Sequence, residues 1–230
     1  MTRREILTRS LATGVGLALP VTAAASPAAG APIARPKSGK IRIAFAVSPM
    51  ANVIDMAGPW ETFQDVALPN GDMAFELYTF AETPDIVEMT GGMRVQPMHT
   101  FDNMPQPHVI VVGANSNHSP RFMELLRDAQ GKVDVTMSVC TGAFKLAASG
   151  ILDGKSATTH HDFYDQFAKQ FPNVHLVRGE RFVDNGTIVT AGGLTSGISA
   201  ALHVISRYFD AQTATRTAAY MEFTPTKREA

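Results

Sequence analysis

The sequence predicts an α/β fold in which helices cover both faces of a mainly parallel, doubly wound sheet. Short apolar runs such as "KIRIAFAVS" and "HVIVVGA" have the length and composition of strands that are buried on both sides. Segments with helical periodicity alternate with these runs, and Gly, Pro or Ser marks many of the boundaries. Strands that alternate with helices along a chain favour parallel pairing and a sheet covered on both faces.

The first 25 residues have the layout of a secretory signal peptide. Adjacent Arg3 and Arg4 precede a moderately apolar stretch and an A-x-A site at 23–25, and "TRREIL" resembles a twin-arginine export signal. The apolar stretch is shorter than the roughly 20 residues that span a bilayer, and no cysteine follows it to carry a lipid. We therefore expect a periplasmic protein without a stable membrane anchor. A disordered basic N-terminus is the alternative.

The rest of the chain is predicted to be a short leader and one domain. Residues 26–40 are rich in Pro and Ala, which is typical of a flexible leader. Residues 41–230 have the length of a single domain.

The first half of the domain contains three strand patterns, a hairpin and two helix patterns. In chain order, we expect a strand at 40–48, a helix at 59–67, a strand at 73–81, a hairpin at 86–98, a strand at 108–114 and a helix at 119–131. The helix at 59–67 is placed by Pro59, which suits a first helical turn. The helix at 119–131 has a capping serine, a proline at its start and Gly131 at its end.

The second half continues the alternation. We expect a strand at 133–139, a helix at 143–149, a strand at 155–161, a helix at 161–171, a strand at 174–177, a hairpin at 181–193 and a helix at 195–209. Asp184-Asn185-Gly186 is a hairpin turn signal between two apolar runs. The chain beyond Asp210 is partly helical in pattern, and no element is assigned there.

Composition limits the function classes. The 230-residue chain is 45% apolar and 18% charged, with a formal net charge of −1, so charge gives no reason to expect nucleic acid or an anionic membrane as a partner. One cysteine can form neither an intrachain disulfide nor a structural zinc site. The histidines show no metal-ligand spacing, and we predict no metal and no cofactor.

The single cysteine, Cys140, lies where a predicted strand meets a predicted helix. Ligands of open α/β sheets bind at such strand ends, and helix N-terminal amides are expected to lower the pKa of a thiol placed there. The arrangement is analogous to the strand–turn–helix elbow that presents a serine nucleophile in other α/β enzymes. A small buried apolar residue is the alternative interpretation.

Three separated stretches resemble the ThiJ/PfpI superfamily, which has the class I glutamine amidotransferase-like fold. They are "CTGAF…SGILDGKSATTHH", "VIDMAGPWETF" and "VTAGGLTSGISAAL". The resemblance spans roughly residues 41–209 and is closest to the isonitrile hydratase branch and to the amidase-like domain of AraC-type regulators. It implies a flavodoxin-like α/β fold, a cysteine nucleophile and a homodimer.

The resemblance also implies the site residues. Cys140 is the nucleophile, Asp55 the acid that works with it, and Thr141 supplies an amide and a hydroxyl beside the sulfur. Asp55 is expected in the loop after the first strand; a loop or capping role is the alternative. Glu61 faces the same pocket or is an exposed first-turn glutamate, and His160 shapes the pocket or a dimer contact.

The sequence departs from the superfamily pattern at two places in the expected pocket. Gly113-Ala114-Asn115 replaces the usual P-G-G, whose glycine amide faces the cysteine. Ala114 is able to present its amide only if the backbone does not require a positive φ. His161 stands where the superfamily has an aromatic residue after T-T-H.

The resemblance implies hydration of an isonitrile to an N-substituted formamide through a thioimidate on Cys140. Alternatives are another thiol hydrolase or glyoxalase-type activity, and a non-enzymatic periplasmic domain that binds a ligand or senses redox stress. A transcriptional regulator is disfavoured, since about twenty residues after Phe209 are too few for a helix-turn-helix unit. The expected partner is a small molecule.

Overall fold

The computed structural model describes residues 30–68 and 70–224. The predicted signal peptide lies outside the described residues. The strands are β1 (Ile41–Ala46), β2 (Phe75–Ala81), β3 (Val87–Glu88), β4 (Arg94–Val95), β5 (His99–Thr100), β6 (Val109–Val112), β7 (Val135–Ser138), β8 (Ser156–Ala157), β9 (His175–Leu176), β10 (Phe182–Asp184) and β11 (Ile188–Ala191). The α-helices are α1 (Val53–Gln64), α2 (Pro120–Asp128), α3 (Gly142–Ala148), α4 (Tyr164–Gln170), α5 (Ser196–Tyr208) and α6 (Ala211–Tyr220).

The main sheet has seven strands in the order β10-β11-β7-β6-β1-β2-β5. Every neighbouring pair is parallel except β10 and β11, which form the predicted hairpin. Central β1 pairs with β2 on one side and β6 on the other, and the order reverses direction there, as a doubly wound sheet requires. The predicted α/β fold with a mainly parallel sheet is confirmed.

Helices cover both faces of this sheet. Ile43 and Phe45 of β1 pack in a core with residues of α1, α5 and α6. Ala44, on the opposite face of the same strand, packs in a second core with residues of α2, α3 and α4. Successive strand residues point to opposite faces, so the near-continuous apolar runs of the sequence serve both cores.

Helix α1 begins six residues earlier than the sequence predicts. Pro59 lies inside the helix rather than in its first turn, although a proline there removes one backbone hydrogen bond. Asp55, Gly58 and Pro59 are buried, and a Cβ atom at Gly197 of α5 would lie only 3.0 Å from Pro59 Cγ. Close packing of α1 on α5 therefore offsets the lost hydrogen bond.

The smaller elements follow the predictions in part. The hairpin at 86–98 is present as β3 and β4 around a 3-10 turn, whereas β5, which the sequence analysis did not separate, extends the main sheet. Strand β8 pairs with β9 in a separate two-stranded parallel sheet. Beyond Asp210, the partly helical pattern corresponds to α6.

The described part of the expected flexible leader contacts α5. The Ile33 amide donates to the Arg207 carbonyl at 2.8 Å, and Arg207 Nε donates to the Ala31 carbonyl at 3.0 Å. Arg35 lies over the ring of Phe209 at 4.9 Å. Within the described ranges, no helix has both the length and the apolar character needed to cross a membrane.

Candidate active site

Cys140 occupies a strained elbow between β7 and α3. Its φ is +57°, a left-handed conformation that is uncommon for residues other than glycine. Two hydrogen bonds hold the backbone in place: the Cys140 amide donates to the Gly192 carbonyl at 2.8 Å, and Thr159 Oγ1 donates to the Cys140 carbonyl at 2.9 Å. The elbow predicted from the sequence is therefore present.

Gly142 allows this elbow to approach the neighbouring strand. A Cβ atom at Gly142 would lie 2.0 Å from the carbonyl oxygen of Val112, the last residue of β6. Only glycine fits there without displacing the backbone. The start of α3 thus lies directly against the end of β6, beside the loop that carries Gly113 and Ala114.

Asp55 reaches the thiol from the first turn of α1, not from a loop as the sequence suggested. Its side chain is fully buried. Oδ2 accepts a hydrogen bond from the Ala114 amide at 2.9 Å, and a Cβ atom at Gly113 would lie 2.8 Å from Asp55 Cβ. The predicted meeting of Asp55 and Cys140 at one sheet edge is what the structure contains, since the two side chains interact.

The electrostatics of this pair reverse one prediction. Burial raises the pKa of Asp55 to about 6, and the Ala114 amide and the Cys140 thiol offset part of that rise. Burial and the neighbouring Asp55 carboxylate raise the pKa of Cys140 to about 11. The predicted lowering of the thiol pKa is therefore wrong. The amides of Thr141 and Leu194 do lower this pKa, but burial and the Asp55 carboxylate outweigh them.

Asp55 keeps one oxygen uncommitted. Within the described residues, no donor makes a hydrogen bond of ordinary geometry to Oδ1. The Cys140 thiol nevertheless interacts with the Asp55 side chain and lowers its pKa. Near neutral pH the pair therefore consists of an ionised Asp55 and a protonated Cys140, with one carboxylate oxygen ready to accept a proton.

Two backbone amides face the sulfur. Thr141 contributes its amide and its hydroxyl, as the resemblance implied. Leu194 contributes the second amide, and sequence reasoning missed it. Leu194 lies in the "AGGLTSG" stretch that carries the family resemblance, but nothing in this stretch indicates that a backbone amide 54 positions after Cys140 reaches the thiol. Leu194 has a φ of +53°, so its turn, like that of Cys140, is strained.

The loop at 113–115 does not supply a free amide toward the cysteine. Ala114 gives its amide to Asp55, and Asn115 Nδ2 donates to the Gly113 carbonyl at 2.8 Å. These residues therefore hold the acid and stabilise their own loop. The sequence left open whether Ala114 presents its amide to the thiol; in the structure that amide donates to Asp55 Oδ2 instead.

Glu61 and His160 lie away from the thiol–acid pair. Glu61 is exposed and accepts a hydrogen bond from Gln64 at 3.2 Å. It lies in the third turn of α1, so it is not the first-turn glutamate of the alternative interpretation. His160 Nδ1 accepts from the Asp162 amide at 3.2 Å and caps a 3-10 turn. It lines a cavity of about 310 Å³ together with the turn at Gly192–Leu194.

One group of side chains in the described ranges has the composition of a metal site. His160, His161 and Asp162 each offer a ligand atom, and these atoms lie within 4.8 Å of one another. His161 and Asp162 are exposed, and His160 Nδ1 is already committed to its cap.

Comparisons with known proteins place this geometry in context. The model of the DJ-1/PfpI family matches residues 41–207. Over 193 residues, the chain is 28% identical to isonitrile hydratase of Pseudomonas putida, covering 80% of this chain and 79% of that protein. It is 22% identical to the HTH-type transcriptional regulator GbdR of Pseudomonas aeruginosa, covering 72% of this chain and 46% of the regulator.

The fold also matches a solved structure. A THiJ/PfpI family protein from Pseudomonas syringae superposes with a TM-score of 0.68 at 24% identity, covering 83% of this chain and 78% of that chain. At this identity the match shows the fold alone.

Proposed function

The chain belongs to the DJ-1/PfpI family, and from this premise we propose that it is a cysteine-dependent hydratase that converts isonitriles to N-substituted formamides. The observation that carries the proposal is the buried contact between the Cys140 thiol and the Asp55 carboxyl group, one oxygen of which accepts no ordinary hydrogen bond from the described residues. The similarity to the Pseudomonas putida isonitrile hydratase supports the same reaction.

The first half-reaction needs a proton acceptor and a proton donor in one place. Asp55 Oδ1 takes the proton from the Cys140 thiol as the sulfur attacks the terminal carbon of R–N≡C. The S–H bond breaks and an S–C bond forms. Asp55 then gives the proton to that carbon, which leaves the thioimidate R–N=CH–S on Cys140. A pKa of about 6 suits a group that both accepts and returns a proton near neutral pH.

The second half-reaction releases the formamide. Water adds to the C=N bond, so that an O–C bond forms, one proton of the water passes to Asp55, and the nitrogen gains a proton from it. The C–S bond then breaks as the hydroxyl oxygen becomes a carbonyl, and Asp55 carries the hydroxyl proton back to the sulfur. The product is R–NH–CHO, and Cys140 and Asp55 return to their starting states.

The arrangement of donors favours this reaction over acyl transfer. Ester and amide hydrolysis needs amide donors aimed at a developing oxyanion. Here the Ala114 amide is held by Asp55, and the amides of Thr141 and Leu194 face the sulfur.

A redox-sensing role receives less support. The thiolate is the species that oxidants attack, and burial with a neighbouring carboxylate raises the pKa of Cys140 to about 11. A raised thiol pKa lowers the fraction of thiolate at neutral pH, which disfavours a role as a peroxide sensor.

Export and assembly are part of the proposal. Residues 1–25 act as a twin-arginine signal, and the mature protein works in the periplasm as a homodimer on a small-molecule substrate. Cell fractionation of the full chain, with Arg3→Lys and Arg4→Lys combined as the control, tests the route. Light scattering of the purified protein tests the dimer.

The reaction is tested by incubating the protein with cyclohexyl isonitrile and measuring N-cyclohexylformamide by chromatography. Turnover by the wild-type protein and its absence in Cys140→Ala are expected, with unchanged thermal unfolding of the variant. Formamide production by Cys140→Ala at the wild-type rate, or none by the wild-type protein, contradicts the proposal.

A further inference from the structure

The cavity of about 310 Å³ shares a wall with the thiol. Its lining includes Thr159, His160, His161, Tyr164 and the turn at 192–194. The Thr159 hydroxyl donates to the Cys140 carbonyl, and the Leu194 amide faces the sulfur. Two residues that line the cavity, Thr159 and Leu194, therefore also contact Cys140, although Cys140 itself does not line the cavity.

Aromatic rings form one side of this cavity. The imidazoles of His160 and His161 stack with their centroids 4.5 Å apart and their planes at 22°. Phe163 meets His160 edge to face at 5.8 Å and 72°. These two contacts join three rings, of which His160 and His161 line the cavity and Phe163 supports His160 from outside it.

The inner ring of this surface is fixed and the outer one is accessible. A Cβ atom at Gly193 would lie 2.2 Å from His160 Cδ2, so the His160 ring packs directly on the glycine backbone. The cap from the Asp162 amide holds the same ring. His161 stacks on the outer face of this anchored ring, and its side chain is 59% exposed. A ligand ring is therefore able to reach His161 without displacing His160.

We propose that this cavity is the subsite for the substituent of the isonitrile and that it selects aromatic over alicyclic substituents. The inference rests on the proposed function and names its substrate class. A volume of about 310 Å³ is roughly twice the 150 Å³ of a cavity that holds benzene. Glu180 and Arg181, which also line it, carry opposite charges, so the subsite suits an uncharged ring.

Ring stacking sets the expected size of the preference. An aromatic pair contributes about 0.5–1.5 kcal/mol beyond the area that it buries, which corresponds to a factor of roughly three to ten in affinity. We therefore expect the wild-type protein to bind N-phenylformamide roughly three to ten times more tightly than N-cyclohexylformamide. The same factor is expected in kcat/KM for phenyl isonitrile over cyclohexyl isonitrile.

Two variants of His161 and one control test the subsite. His161→Ala removes the outer ring and should abolish the preference, whereas His161→Phe keeps a ring and should retain it. His175→Ala changes another exposed histidine that does not line the cavity, and it should behave as wild type. A chelator is present throughout, because His160, His161 and Asp162 also offer ligand atoms to a cation.

Calorimetric binding of the two formamides, which needs no turnover, separates this inference from the proposed function. Equal affinity for both formamides in the wild-type protein, or a preference that survives His161→Ala, overturns the aromatic subsite even if isonitriles are hydrated. A preference that depends on His161, without hydration of any isonitrile, supports the subsite and overturns the proposed reaction.

Discussion

Asp55 and Asp184 are both buried, yet their surroundings shift their pKa values in opposite directions. Asp184 is 8% exposed and Asp55 is fully buried. Burial acts to raise the pKa of both carboxyls. At Asp184, however, hydrogen bonds from His203 at 2.6 Å and the Gly186 amide at 2.6 Å, together with the charge of Arg207, outweigh burial and lower its pKa. At Asp55 the hydrogen bonds from one amide and one thiol do not outweigh burial, and the pKa of Asp55 rises to about 6.

The difference shows what separates a structural carboxylate from a reactive one in this fold. Asp184 has enough donors to remain ionised, and through Arg207 it holds the N-terminal segment against α5. Among the described residues, no donor of ordinary geometry reaches Asp55 Oδ1, and a pKa of about 6 places the protonated and ionised forms of Asp55 close in free energy near neutral pH. Fully satisfied networks give rigidity, whereas a partly satisfied carboxylate is able to transfer protons.

Asp55→Asn should have the largest effect on activity. Loss of the proton acceptor is expected to lower kcat for formamide formation by roughly 10²–10⁴-fold. The free energy of unfolding at pH 7.5 should stay the same or rise, because the variant no longer buries a charge. Steady-state kinetics and urea unfolding measure both. Activity within a few-fold of wild type would show that Asp55 has a structural role like that of Asp184.

Asp184→Asn should have the opposite profile. It leaves the buried Arg207 guanidinium without its carboxylate, which typically costs about 3–5 kcal/mol in unfolding free energy. The kcat of the folded fraction should be unchanged, since Asp184 does not contact the thiol–acid pair. Urea unfolding and active-site titration measure the two quantities. A stable variant with low kcat would contradict the division between the two aspartates.

The pH dependence of stability should also differ in sign. Asp55 has a folded pKa of about 6 against an ordinary value of 3.8, so the folded state binds the extra proton between these values. Its contribution to stability therefore falls by about 3 kcal/mol in total as pH rises from about 3 to about 7, with most of the fall between about 4 and 6. Asp184 has a lowered pKa, so its contribution is present above pH 3.8 and is lost as pH falls through the folded pKa.

Unfolding of wild type, Asp55→Asn and Asp184→Asn across pH 3–7.5 measures these slopes. Relative to Asp55→Asn, the wild-type protein should lose stability as pH rises toward 6. The difference in unfolding free energy between the wild-type protein and Asp184→Asn should decrease only as pH falls below 3.8, toward the lowered pKa of Asp184. Parallel curves for wild type and Asp55→Asn would mean that Asp55 has an ordinary pKa in the folded protein.

The smallest expected effect on stability comes from Gly30, in the N-terminal segment that packs against Asp184 and Arg207. A Cβ atom at Gly30 would lie 2.0 Å from Asp184 Oδ2, so Gly30→Ala should displace the N-terminal segment and its two hydrogen bonds to Arg207. The expected loss is about 1–2 kcal/mol in unfolding free energy, without a change in kcat. Ser38→Ala, at an exposed position of the same segment, is the control. A similar loss in both variants would contradict the role of this contact.

The fold was largely predictable because its signals are local. Each buried strand pattern and each capped helix stands in a few consecutive residues, and the C-T-G elbow is likewise a local motif. The start of α1 was not predictable in this way, because the packing of Pro59 against Gly197 outweighs the local preference of proline for a first helical turn. The earlier start of α1 also changes where Glu61 lies in the helix. In a helix that already includes Asp55, six further residues at 100° each turn Glu61 to a different face.

The electrostatics of the site were not predictable from the sequence. The helix N-terminus beneath Cys140 suggested a lowered thiol pKa, but the outcome depends on how completely long-range packing buries Asp55 beside the sulfur. The commitment of Ala114 to Asp55 and the contribution of Leu194 are contacts across 59 and 54 positions of the chain. Such contacts exist only once the sheet is assembled.

The pH dependence of kcat/KM for isonitrile hydration tests most directly the claim that Asp55 accepts the proton of a protonated Cys140. The wild-type rate should fall on the acid side with a midpoint near the Asp55 pKa of about 6. Asp55→Asn should have a much lower rate without that acid limb. An acid limb of the same midpoint in Asp55→Asn, or a wild-type rate that rises steadily with pH and has no inflection near 6, would contradict the account.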